Sequence, residues 1–170
     1  MSAILEPRPA AAVATGVRIG HVHLKVADLD RALAFWRDLL GFEEQQRMGT
    51  QAVFLSADGY HHHIGLNTWE SAGGSPPPFG TTGLFHVALL YPDRPALARV
   101  LKRLVEAGWP LEGASDHGVS EAIYLRDPDG NGVELYRDRA AQDWPRDAQG
   151  NLAMVTRRLD LRALLAEAQG

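Results

Sequence analysis

Seven histidines and no cysteine stand in this chain of 170 residues, and a few of its polar side chains recur where they could share one metal ion. His21 opens His21-Val22-His23-Leu24 and His86 opens His86-Val87-Ala88-Leu89, an offset of 65 that Asp28 and Asp93 repeat. Further on, Ile64-Gly65-Leu66 matches Val133-Glu134-Leu135. The four equivalent positions are therefore His21, Gly65, His86 and Glu134. Two neutral imidazoles and one carboxylate on one side of a cation form a 2-His-1-carboxylate set. Such a set suits Fe(II), Mn(II) and related divalent ions and leaves coordination positions open. Gly65 cannot supply a fourth ligand. Singly, each residue also has a bland reading, as a strand histidine or a solvated charge; equivalent placement in a repeat is what favours the metal.

The elements that must position these residues are legible from periodicity. Residues 19–26 alternate, with Val22, Leu24 and Val26 on one face and His21, His23 and Lys25 on the other, which predicts a strand. Asp28 is placed to N-cap a helix with apolar Leu29, Ala32, Leu33, Phe35, Trp36, Leu39 and Leu40, and Gly41 suits its C′ position. The second half repeats the plan: a strand over 85–91, then Asp93 and Pro95 at the start of a helix carrying Leu97, Val100, Leu101, Leu104 and Val105, stopped at Gly108. Each half closes on strands, 52–56 and 62–67 in the first, 122–126 and 132–136 in the second, the latter pair joined by the strong turn Asp127-Pro128-Asp129-Gly130.

The fold class expected is α+β, two βαβββ modules (18–70 and 83–138) forming a curved mixed sheet around a metal site. Gly- and Pro-rich residues 71–83 are the linker. Residues 1–15 read as a flexible arm, 16–140 as the domain, and 141–170 as a tail with a short helix near 159–168.

Composition narrows the function classes. With 45% hydrophobic and 22% charged residues the chain can bury a core, and a formal charge of −4 gives no reason to expect nucleic acid. No apolar run is long enough for a membrane span, and the N-terminus lacks the pattern of a secretory signal, so the cytoplasm is the default expectation. The absence of Cys excludes disulfides, thiolate metal sites and cysteine nucleophiles.

The patterns His21-x-x-Leu24-x-Val26-x-Asp28, Leu40-Gly41-Phe42, Gly83-x-x-His86-x-Ala88 and Asp127-Pro128-Asp129-Gly130-Asn131-x-x-Glu134 resemble the vicinal-oxygen-chelate superfamily (glyoxalases, bleomycin resistance proteins and extradiol dioxygenases) over residues 18–138. Glyoxalases carry a Glu where this chain has Gly65. Extradiol dioxygenases use His, His and Glu, as His21, His86 and Glu134 stand here, so the chain is most similar to catechol-2,3-dioxygenase-like members. That resemblance implies further site residues: His62, three before Gly65, as acid–base; Tyr124, ten before Glu134, as an orienting hydroxyl; and His117 of His117-Gly118, at a spacing two residues shorter than in those enzymes.

It also implies Fe(II), with Mn(II) or another divalent ion as substitute, and a small aromatic catechol and dioxygen as substrates. Large extradiol enzymes hold two such paired modules and this chain holds one, so a homodimer is the expected assembly. The superfamily also contains resistance-type binding domains and metal-dependent lyases and isomerases, and these stay open as alternatives. Beside these roles, His61 and His63 read as polar surface, His23 as pocket lining, Tyr124 alternatively as a partly buried aromatic, and Trp36, Trp69 and Trp109 as core or interface.

Overall fold

A computed structural model describes residues 12–169. Most of the arm expected over residues 1–15 lies outside the described residues. Two βαβββ modules follow one another. The first contains β1 (Val22–Lys25), α1 (Leu29–Leu33, continuing as a wider π turn over Ala34–Leu39), β2 (Glu43–Met48), β3 (Ala52–Ser56) and β4 (Ile64–Asn67). The second contains β5 (Val87–Leu90), α2 (Arg94–Glu106), β6 (Leu111–Asp116), β7 (Ser120–Arg126) and β8 (Gly132–Asp138). The strands resolve into one sheet per module, ordered β1-β4-β3-β2 and β5-β8-β7-β6-β9, where β9 (Arg157–Arg158) comes from the tail.

Both helices start where their caps require. The Asp28 carboxylate accepts from Arg31 N–H at 2.8 Å and Asp93 accepts from Ala96 N–H at 2.7 Å, each satisfying an amide that no helical carbonyl can reach. Gly41 and Gly108 then leave their helices at φ +91° and +63°, a region open to glycine without steric cost. Leu29, Ala32, Leu33, Phe35 and Trp36 of the first helix and Leu97, Ala98, Val100, Leu101 and Leu104 of α2 are buried against Val53, Leu55, Ile64 and Leu66 of one sheet and Ile123, Leu125, Val133 and Leu135 of the other, in a single apolar cluster.

The first strand of each half is shorter than its alternation suggests. β1 begins at Val22, whose N–H reaches the His63 carbonyl at 3.0 Å, so residues 19–21 lie outside the ladder and Ile19 is exposed. His86 likewise immediately precedes β5. Alternation reports side-chain faces, not whether a backbone partner is present.

The Asp127–Asn131 turn does more than reverse the chain. Asp127 accepts from Asp129 N–H, Asn131 N–H and the Asn131 amide at 2.8–2.9 Å, which closes the turn. It also receives the Trp36 indole N–H at 3.3 Å. Asp129 accepts the Ala27 N–H at 2.9 Å and pairs with Arg31. Two carboxylates of the second module thus hold the first module's helix, Asp129 at its start and Asp127 at Trp36 further along, and Phe35 packs on Trp109 alongside, ring centroids 4.9 Å apart.

The tail is part of the same body. Leu159 and Leu164, in and beside α3 (Leu161–Ala166), are buried, and β9 adds to the edge of β6 at Ser115 and Asp116. If the Asp129 contacts hold the modules in place, Asp129→Ala should lower stability by roughly 1–3 kcal/mol, the scale for stranding a donor that loses its partner. Chemical denaturation checks this; an unchanged midpoint means the modules do not depend on the turn.

Candidate functional site

The site rests on the parallel ladders that join the first and last strands of each module. β1 pairs β4 with His23 opposite Gly65; β5 pairs β8 with Ala88 opposite Glu134. Cα partners in a parallel pair project to the same face, so His21, His23 and Gly65 share one face, and His86, Ala88 and Glu134 the equivalent one. The register therefore reproduces the equivalence of Gly65 with Glu134 read from the repeat.

In the second module this brings four candidate residues together. His86 Nε2 lies 2.9 Å from Glu134 Oε2. The Tyr124 hydroxyl donates to Glu134 Oε1 at 3.1 Å, and His117 Nε2 is 2.8 Å from the same hydroxyl. Tyr124 sits directly opposite Glu134 across the antiparallel β7–β8 ladder, which is why a residue ten positions upstream reaches it. Burial, reinforced by the charge of Glu134, pushes the Tyr124 pKa up to about 12, so the group is a neutral hydroxyl at physiological pH. Gly132 permits the close approach: a Cβ there would land against the Phe85 carbonyl and within 3.0 Å of His86 Cβ.

In the first module His21 and His62 meet, ring centroids 4.4 Å apart, with Phe54 5.0 Å from His62. His61 adds to this group through Nδ1, 2.8 Å from His62 Nδ1. Burial, then the neighbouring His21 and His61, lowers the His62 pKa and favours the neutral ring. His63 turns away, its Nδ1 3.3 Å from Ser56 Oγ, and stacks on Tyr60.

The two groups remain separate within one chain. Among the described residues no cluster of three or more His, Asp or Glu side chains is placed to hold a metal ion. His86 and Glu134 are adjacent, and His21 is not with them. In this structure the residues that would hold a divalent ion stand in two groups, His21 in the first module and His86 with Glu134 in the second.

Two features escaped sequence reasoning. His23 sits on Gly65: a Cβ at Gly65 would lie 2.9 Å from His23 Cγ, and Phe54 and Trp69 flank the ring at 5.8 and 5.4 Å. The missing side chain at position 65 thus seats an imidazole as well as omitting a ligand. The parity of His21 and His23 was the available signal. The second is the contact of His117 with the tail, for which the sequence offered none. Of the tryptophans, Trp36 is fully buried, Trp109 packs on Phe35 and donates to the Arg126 carbonyl, and Trp69 is exposed beside His23.

Two βαβββ modules, each with its first and last strands paired in parallel, thus set an imidazole beside a carboxylate in the second module. The Glyoxalase/Bleomycin resistance protein/Dioxygenase superfamily model matches residues 18–135, and the chain belongs to that superfamily. It is 43% identical over 150 residues to catechol-2,3-dioxygenase of Bacillus subtilis (strain 168), covering 88% of this chain and 52% of that protein. A manganese-dependent 2,3-dihydroxybiphenyl 1,2-dioxygenase of Geobacillus genomosp. 3 is 30% identical over 127 residues, 71% of this chain and 36% of the relative. The chain thus spans about half or less of the length of these relatives. Lactoylglutathione lyase from Agrobacterium tumefaciens superposes with a TM-score of 0.57 at 26% identity, over 73% of this chain and 96% of the other.

The seating of His23 has a measurable consequence. Gly65→Ala should cost about 1–3 kcal/mol by overpacking against the ring, and most of that cost should vanish when His23→Ala is combined with it. Additive penalties in a thermal or urea double-mutant cycle would show that the ring does not occupy this space.

Proposed function

We propose that the protein is a metal-dependent extradiol ring-cleaving dioxygenase acting on a catechol-type substrate. The observation that carries the reading is the unbroken contact chain His86–Glu134–Tyr124–His117, in which each member lies within 3.1 Å of the next. The identity to a catechol-2,3-dioxygenase over 88% of the chain supports it. The donor types, two imidazoles and a carboxylate, suit Fe(II) or Mn(II) and leave room for a catechol and dioxygen. A relative described as manganese-dependent fits the same donor set.

The separation of His21 from His86 and Glu134 extends the proposal to a homodimer. Among the described residues β1 and β5 are edge strands, each paired on one side only, and Ile19, Leu84, Phe85 and Leu90 are exposed around them. Exposed apolar side chains beside unpaired strand edges mark a surface suited to association. In a twofold dimer, His21 and His62 of one copy would join His86, Glu134, Tyr124 and His117 of the other. Two copies then make two equivalent sites. His62, neutral and beside His21, would accept a proton from the bound catechol, and the Tyr124 hydroxyl would hydrogen-bond a substrate oxygen.

Oxygen uptake with a panel of catechols tests the activity. His62→Ala should retain metal and catechol while turnover falls by roughly 10²-fold, the scale of a positioned acid–base. Full activity would remove His62 from the reaction. Mixing inactive His21→Ala and Glu134→Ala chains should restore metal binding and part of the turnover through one intact site per mixed dimer. Failure of exchanged mixtures to recover either would exclude a site shared between copies.

A further inference from the structure

His117 is held from two sides. Its Nε2 faces the Tyr124 hydroxyl at 2.8 Å, and its Nδ1 faces the Val155 carbonyl oxygen at 3.1 Å, with Thr156 Oγ1 at 3.4 Å. A carbonyl oxygen only accepts, so the bond to Val155 requires the hydrogen on Nδ1. In the neutral ring Nε2 is then bare and faces Tyr124. The hydroxyl has one proton and two acceptors in reach, His117 Nε2 and Glu134 Oε1.

Val155 is fixed in turn. Its N–H donates to the His117 carbonyl at 3.1 Å, so the two residues bond through backbone and ring together. Gly118 packs so closely that a Cβ there would lie 2.8 Å from Pro145 Cγ and 3.3 Å from Val155 Cγ2. The Ala153 N–H closes the segment on the Pro145 carbonyl at 2.9 Å, and beyond it β9 and buried Leu159 tie the chain to the body.

We infer that residues 145–159 act as a positioning strap for the active site, in which the Val155 carbonyl commits Nδ1 of His117 and thereby dedicates Nε2 to Tyr124. The inference rests on the reading of Tyr124 and His117 as site residues. Val155 touches no substrate and acts through His117, which makes it a positioning residue. With Nδ1 occupied, the ring cannot turn over without losing both partners, so Tyr124 meets the same nitrogen in every turnover.

The test separates the strap from the activity. In ¹⁵N-histidine-labelled protein, a long-range ¹H–¹⁵N spectrum should show His117 with hydrogen on Nδ1 and none on Nε2. A ring protonated on Nε2 alone, or averaging between tautomers, overturns the inference whatever the activity. Val155→Gly keeps the carbonyl but removes the side chain wedged at Gly118. It should blur the tautomer signature and lower kcat about 10-fold, with KM for catechol and metal content unchanged; Val155→Ile should restore both. A loss of melting temperature with kcat per bound metal unchanged would make the segment merely structural and overturn the positioning role. If the Nδ1–H signature is present and no catechol is cleaved, the dioxygenase reading fails while the strap stands.

Discussion

The constraint on which the rest of the structure depends is the parallel pairing of the first strand of each module with its last. Because side chains alternate with a period of two, a slip of one residue between β5 and β8 would send Glu134 into the core and Val133 into the site. The observed register puts Ala88 beside Glu134, and His86 reaches the carboxylate from the end of the same strand. Other features guard that register. Gly132 admits the Phe85 backbone, and α2 buries its apolar face against the sheet. The Asp127–Asn131 turn, immediately before β8, is pinned to the first module through Trp36, Ala27 and Arg31.

The two halves differ within one plan. The first module has no carboxylate at the position equivalent to Glu134, and Gly65 gives that space to His23, so this half presents imidazoles: His21, His23, His61 and His62. The second carries the carboxylate and surrounds it with hydrogen-bonding groups. Tyr124, its pKa raised to about 12, keeps its proton and can serve Glu134 or His117. The proposed site would join imidazoles of the one half to the carboxylate of the other, donor types that together suit a divalent ion.

Local rules made much of this readable. Capping by Asp28 and Asp93, the glycine stops at 41 and 108, and the offset of 65 all depend on neighbours within a few residues or on repetition, and both survive in a bare sequence. His117 and Tyr124 were reached only through family resemblance, yet the β7–β8 register explains why Tyr124 meets Glu134. What escaped depends on tertiary contact. Asp127 and Asp129 read as turn residues, although their oxygens also bind the other module. The predicted strand ends at 19–21 and 85–86 alternate in sequence but lie outside the ladders. Nor did residues 145–159 show any periodicity that placed them against His117.

The central claim is that this chain supports insertion of dioxygen into a catechol ring. Its most direct test is a single-turnover reaction of Fe(II)-loaded protein with a catechol and ¹⁸O₂, read by mass spectrometry of the product. Extradiol cleavage requires a ring-opened product carrying both labelled oxygen atoms, and the account expects that product, with its yield lost in Glu134→Ala. Unreacted catechol, or labelled peroxide with the ring intact, would contradict it.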